Sequence, residues 1–217
     1  MKSISFTIAV LCFAFVAAFG QDSPYQKAMK KEIAKVIETD SLNELQQSAN
    51  AFARISELNP KEWLPVYYNA LAYTFQGFNK NLSLDKKDEA LAKATELVRK
   101  AGTLSAGNAE IVTLEGFILM AKLSADPANR GQSMSGQVLA AYGMALGIDG
   151  KNPRALAALA QMEFGMAQFF GSGTEKACGL AKQSAEIYAA QDEQALKAAM
   201  LPTWGRSMAN GVIKNCK

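Results

Sequence analysis

Histidine is absent from the 217 residues. That absence removes serine and cysteine triads with an imidazole base, and most zinc sites, which depend on imidazole ligands. A nucleophilic cysteine would lack its usual partner base. Charge of one sign is scarce as well: 23 Lys and Arg against 20 Asp and Glu leave a formal net charge of +3, with no clustered basic face. Nucleic acid is excluded as the main partner, because phosphate binding needs concentrated cations. Long apolar runs are missing beyond the N-terminus, so the mature chain is expected to have no transmembrane segment. No stretch alternates apolar and polar residues over a useful strand length, and β structure is not expected.

The one long apolar run, Ile4 to Phe19, follows Lys2 and ends in Ala18 and Gly20, small residues where a signal peptidase reads. Residues 1–20 therefore read as a signal peptide. The polar sequence Gln21-Asp22-Ser23-Pro24 follows at once, so the domain is expected to span 21–217 and to be periplasmic or secreted. Cys12 leaves with the signal, and Cys178 and Cys216 remain, 38 positions apart. In an exported chain such a pair favours a disulfide; two separate thiols are the alternative, because spacing does not give the Cα separation.

What the chain has in abundance is helical periodicity. Ala28, Ile33, Val36 and Ile37 share one side of a segment over 25–38, and Leu42, Leu45, Ala49, Phe52, Ile55 and Leu58 recur every three or four residues up to Asn59-Pro60. Further helical segments are expected over 63–77, 85–101 (ending at Gly102), 108–123, 137–148, 153–170 and 175–190, with a terminal segment over 194–217. Phe78 to Ser83, Ser124 to Gly131 and Phe169 to Thr174 read as breaks between paired helices.

The phrases Ile55-Ser-Glu-Leu-Asn-Pro60, Ala101-Gly-Thr-Leu-Ser-Ala106 and Ala145-Leu-Gly-Ile-Asp-Gly150 resemble the end-of-second-helix signature of tetratricopeptide repeats. Ala70, Gly116 and Ala160 then stand at the small crossing position of the following first helices, 46 and 44 residues apart. The family repeats at about 34 residues, so the likeness is to a stretched version. The excess falls between the first and second helix of each pair, and is expected to line one edge of the stack. More narrowly, Asp126-Pro-Ala-Asn-Arg-Gly131, Asn152-Pro-Arg-Ala155, Phe169-Phe-Gly-Ser-Gly173 and Trp204-Gly with Cys216 resemble exported tetratricopeptide-like proteins of Gram-negative bacteria. The Phe-Phe-Gly-Ser-Gly turn also looks like the T component of tripartite solute transporters. The resemblance implies an all-α solenoid of about four helical hairpins plus a C-terminal segment.

Chemistry-bearing groups fit that frame. Asp85, Asp88 and Glu89 sit near a helix start, where negative charge offsets the macrodipole. Gly171-Ser-Gly173 lacks the Lys-Ser/Thr of a phosphate loop. Arg154 at a helix start needs a partner, such as Glu110 on the adjacent hairpin. Five aromatics, Trp63, Tyr67, Tyr68, Tyr73 and Phe75, occupy one helix and cannot all point into one core.

No catalytic residue, cofactor or metal site is expected. The chain reads as an exported, non-catalytic binding or scaffold module for a protein or peptide of the cell envelope, not an enzyme; the alternative is a small-ligand-binding or transporter accessory protein. Tyr67, Phe75, Phe117 and Phe164 are the candidates for the inner face. Arg130, Phe169 and Phe170 are those for the edge, where Phe169, Phe170 and the 126–131 loop would close over a pocket in the alternative reading. Whether the inner face is open or filled by the terminal segment is left undecided.

Overall fold

The computed structural model describes residues 22–216, so the expected signal peptide over 1–20 lies outside the described residues. The described chain is all-α. Four hairpins follow in order: α1 (Pro24–Glu38) with α2 (Leu42–Leu58), α3 (Trp63–Phe78) with α4 (Leu84–Leu104), α5 (Ala109–Ala125) with α6 (Pro127–Ile148), and α7 (Pro153–Phe170) with α8 (Glu175–Ala190). Two short helices, α9 (Glu193–Ala198) and α10 (Arg206–Ile213), complete the chain.

Polar residues fix the starts. Ser23 caps α1 in a reciprocal capping box with Gln26, and Ser41, Asn108, Asp126 and Asn152 each accept a backbone N–H in the first turn of the helix that follows. Helices α2, α4 and α6 each pack on their own first helix and on the next hairpin, α8 packs on α7 and α10, and α1, α3, α5 and α7 pack successively against one another. The small crossing positions permit this approach: Ala70 and Ala160 are fully buried. A Cβ on Gly116 would lie 2.7 Å from the Tyr142 ring. The main core runs from Met29 and Val36 through Phe52, Tyr67, Tyr68 and Leu91 to Leu114, Val138 and Tyr142, and smaller clusters around Ala160 and Ala157 serve the last hairpin. Burial of each such side chain is worth about 1.5–3 kcal/mol.

The expected insertions are present but take a different form. No loop spans 124–131, because Asp126 both ends α5 and caps α6, which begins at Pro127. Likewise α4 passes through Gly102 to Leu104. The extra residues lengthen the second helices to 21 and 22 residues, and the links that remain are short. None of residues 127–137 is buried, so this part of α6 stands outside the core. Its tie is Arg130, which donates to both oxygens of Asp88 at 2.7 and 2.6 Å and to the Lys122 carbonyl at 3.1 Å.

Those hydrogen bonds hold the Asp88 carboxyl below its ordinary value, against partial burial. A depressed folded value means the contribution is complete above the unfolded pKa, near ~3.9, and is lost as pH falls through the folded one. Asp88→Asn is therefore expected to speed amide exchange across 127–137 while leaving the global melting temperature within roughly 2 °C, as exposed ion pairs contribute about 0–1 kcal/mol. Unchanged exchange in that segment, measured by NMR, would show that Arg130 does not hold it.

Candidate functional site

The inner face is not open. After α9 the chain runs without regular structure from Leu201 to Gly205 and lies against α3, α5 and α7. Its hold on them is specific. The Tyr68 hydroxyl donates to the Met200 carbonyl at 3.0 Å, and the Tyr188 hydroxyl to the Trp204 carbonyl at 2.7 Å. The Trp204 indole N–H donates to the Tyr67 hydroxyl at 2.8 Å, and the indole stacks on Phe117 with ring centroids 4.9 Å apart. Burial pushes the hydroxyls of Tyr67, Tyr68 and Tyr188 well above the usual tyrosine range, so they stay protonated at any physiological pH.

Beneath this segment lies a buried polar group. Arg154 donates to Glu110 through Nε and Nη2 at 2.6 and 2.7 Å, and Asn152 donates to the same carboxylate at 2.6 Å. Desolvation lowers the Arg154 pKa, but the hydrogen bonds and charge of Glu110 outweigh it and raise the value. The pair joins the first turn of α5 to the first turn of α7. Gly205 packs immediately above: its φ of +101° lies in the left-handed region, and a Cβ there would sit 2.5 Å from the Tyr188 hydroxyl and 3.2 Å from Arg154 Cγ. Both backbone and space require glycine at this position.

Between the seated segment and the first three hairpins remains a cleft of about 330 Å³. Its apolar lining comes from Val36 and Ile37 at the end of α1, Leu45 on α2, Phe75 and Phe78 at the end of α3, and Phe117 on α5. Trp204 and Met208 form the wall on the C-terminal side. Thr39, Asp40, Asn79 and Ser207 add polar groups, and Asn79 is fixed by donating to the Asp40 carbonyl at 3.2 Å. Phe117 stands at the centre of an aromatic group, 6.2 Å from Phe75 and 4.8 Å from Phe78.

The seven residues singled out in the sequence do not converge. Phe75 and Phe117 line the cleft; Tyr67 is fully buried behind it and reaches it only through Trp204. Phe164 packs with Ala160, Ala177, Ala181 and Val212, covered by α10, so it belongs to the core of the last hairpin rather than to an inner surface. Arg130 is committed to Asp88. Phe169 and Phe170 end α7, 83% and 70% exposed, and Phe170 borders a separate hollow of about 260 Å³ with Met166 and Lys176. The 126–131 loop expected to close with them over a pocket is instead the cap and first turn of α6. Trp204, Phe78 and Met208 were missed. Periodicity offered no signal for Trp204, whose partner Tyr67 is 137 positions away.

Cys178 and Cys216 form a disulfide with a Cα separation of 5.9 Å, fastening the chain end to α8. Among the described residues, no cluster of three or more Cys, Asp or Glu could hold a metal ion, and no helix is long and apolar enough to cross a membrane.

No protein-family model matches the chain, and no curated protein matches it. Among solved structures it is similar to the HusA haemophore from Porphyromonas gingivalis, with a TM-score of 0.78 and 27% sequence identity. The match covers 91% of this chain and 95% of that one.

Proposed function

We propose that this protein is an exported carrier that binds a flat, largely apolar molecule of the haem or related tetrapyrrole class in the cleft between Phe75, Phe78, Phe117 and Trp204. One observation carries the reading: an aromatic-walled cleft stands on the inner face of a chain whose structural neighbour over nearly its whole length is a haemophore. The volume of about 330 Å³ falls at the lower end of the ~300–1,000 Å³ range of small-ligand sites. The lining suits the class. Aromatic faces match a planar ring, and the Ser207 hydroxyl and the second amide N–H of Asn79 offer donors to peripheral carboxylates, while Asp40 is the one repelling group and the Thr39 hydroxyl is spent on Glu44. Haem is here the cargo, and the chain supplies shape, apolar contact and hydrogen bonds. The disulfide fits an oxidising, extracytoplasmic compartment.

Titration of the mature chain with haemin, followed by the Soret band and by tryptophan fluorescence, is expected to saturate at one equivalent. Phe117→Ala is expected to weaken binding by about tenfold or more, the loss of an aromatic contact and its packing. Non-saturating uptake, or equal affinity in this variant, would overturn the assignment.

A protein partner is the second reading, favoured by the exposed Phe169–Phe170 pair at the tip of the last hairpin. Substituting both by serine would then abolish capture of that partner and leave haemin binding unchanged.

A further inference from the structure

The cleft owes one of its walls to the segment that follows α9. Resting on the ligand reading above, we infer that the segment from Met200 to Gly205 is a built-in part of the binding site, with Trp204 as a ligand-contacting residue and Tyr67 and Tyr188 as positioning residues that act through it.

The segment is bound in the manner of an extended peptide in a helical groove. Its carbonyls at Met200 and Trp204 accept hydrogen bonds from tyrosines on different hairpins, and its one aromatic side chain enters the groove. Trp204 is 4% exposed, with its N–H satisfied by Tyr67, one ring face on Phe117 and part of its surface on the cleft. A side chain so held has little freedom left to lose when a ligand arrives, and that is the condition under which an aromatic wall contributes most to affinity. The support continues one layer down. Tyr188 feels the charges of the Arg154–Glu110 pair, and Arg206 donates to its carbonyl at 2.8 Å and stands 5.0 Å over its ring. Gly205 leaves the tyrosine hydroxyl the room to reach the Trp204 carbonyl. The ligand would therefore read, through Trp204, the integrity of hydrogen bonds it never touches.

The groups can be separated by substitution in the full mature chain carrying Trp63→Phe, so that Trp204 is the sole fluorescent indole. Tyr188→Phe and Tyr67→Phe each remove one hydroxyl and keep the ring. Tyr142→Phe is the control, because that hydroxyl is equally buried but meets only the Met120 sulfur, at 3.8 Å, and Met120 is not part of the cleft lining. The expected result is a red-shifted, more quenchable Trp204 emission in the first two variants, with haemin affinity lowered about 3- to 10-fold, the equivalent of one net hydrogen bond. Tyr142→Phe should alter neither, even if its melting temperature falls as far as theirs. Trp204→Ala should lower affinity further than either tyrosine variant. Haemin affinity that is equal in all four variants and the parent overturns the inference and leaves the ligand reading standing. A loss that tracks melting temperature across the set, Tyr142→Phe included, assigns the tyrosines a purely structural role and overturns it too. Failure of the parent chain to bind haemin removes the ligand reading itself, and this inference with it.

Discussion

Arg154→Met is expected to melt roughly 6–12 °C below the unaltered protein. The guanidinium side chain is 5% exposed and the Glu110 carboxylate 16%. Removing one partner of such a pair leaves a charge with little water and no counter-ion, an effect of ~3–5 kcal/mol in comparable cases. The partial exposure of Glu110 places the expectation near the lower figure, about 3 kcal/mol, and 1 kcal/mol corresponds to ~2–4 °C in a domain of this size. Asn152 would still donate to the orphaned carboxylate and soften the loss. Replacing both partners, Arg154→Met with Glu110→Leu, should recover most of the stability, since apolar groups of similar volume often substitute for a buried pair at no net loss. Thermal melts followed by circular dichroism decide the matter. A single variant within 2 °C of the parent would mean that water reaches the pair, and a double variant no better than the single would mean that Arg154 matters by packing instead.

The second large effect is expected at the chain end. For a closure of 38 residues, the loop-entropy relation gives about 4 kcal/mol, and native disulfides typically contribute ~2–4 kcal/mol. Cys178→Ser with Cys216→Ser should therefore lower the denaturant midpoint by about that equivalent and steepen the slope, because the unfolded chain without the cross-link exposes more surface. Hydrogen exchange should rise first in α10, whose buried contacts are limited to Ala209 and Val212. Mass spectrometry of unreduced protein should find the two half-cystines joined. Free thiols in exported material, or an unchanged midpoint on reduction, would contradict the expectation.

Much of the architecture was legible because helices announce themselves locally. Apolar residues at three- and four-residue spacing placed α1, α2, α7 and α8 within a residue or two, and the small residues Ala70, Gly116 and Ala160 marked where hairpins cross. The need of a cation at a helix start pointed from Arg154 to Glu110, which are indeed paired. The sequence marks a break over 124–131 and a helix only from Gln137, whereas α6 begins at Pro127, and the difference has a physical reason. Gly131, Ser133, Ser135 and Gly136 are poor helix formers, and no buried stripe compensates; Pro127, the Asp126 cap and the Arg130 tie carry it instead. The candidate site was half legible. Phe75 and Phe117 could be chosen by helical angle, but Phe164 could not be rejected without knowing that α10 covers it. Trp204 lies beyond the reach of any window, since what gives it meaning is a set of contacts with α3 and α5 made only after the chain has turned back on itself.

That return path bears on the order in which the molecule is completed. Each hairpin closes over neighbours in sequence, whereas the bonds from Tyr68 to Met200 and from Trp204 to Tyr67 span 132 and 137 positions. Local contacts form early and distant ones late, so the groove built from the earliest-made helices waits for the last-made residues. A chain cut short before Trp204 would lack that side of the groove, together with α10 and the disulfide that fastens it. The cleft is thus completed late: it exists only once the chain has been made as far as Trp204 and Met208.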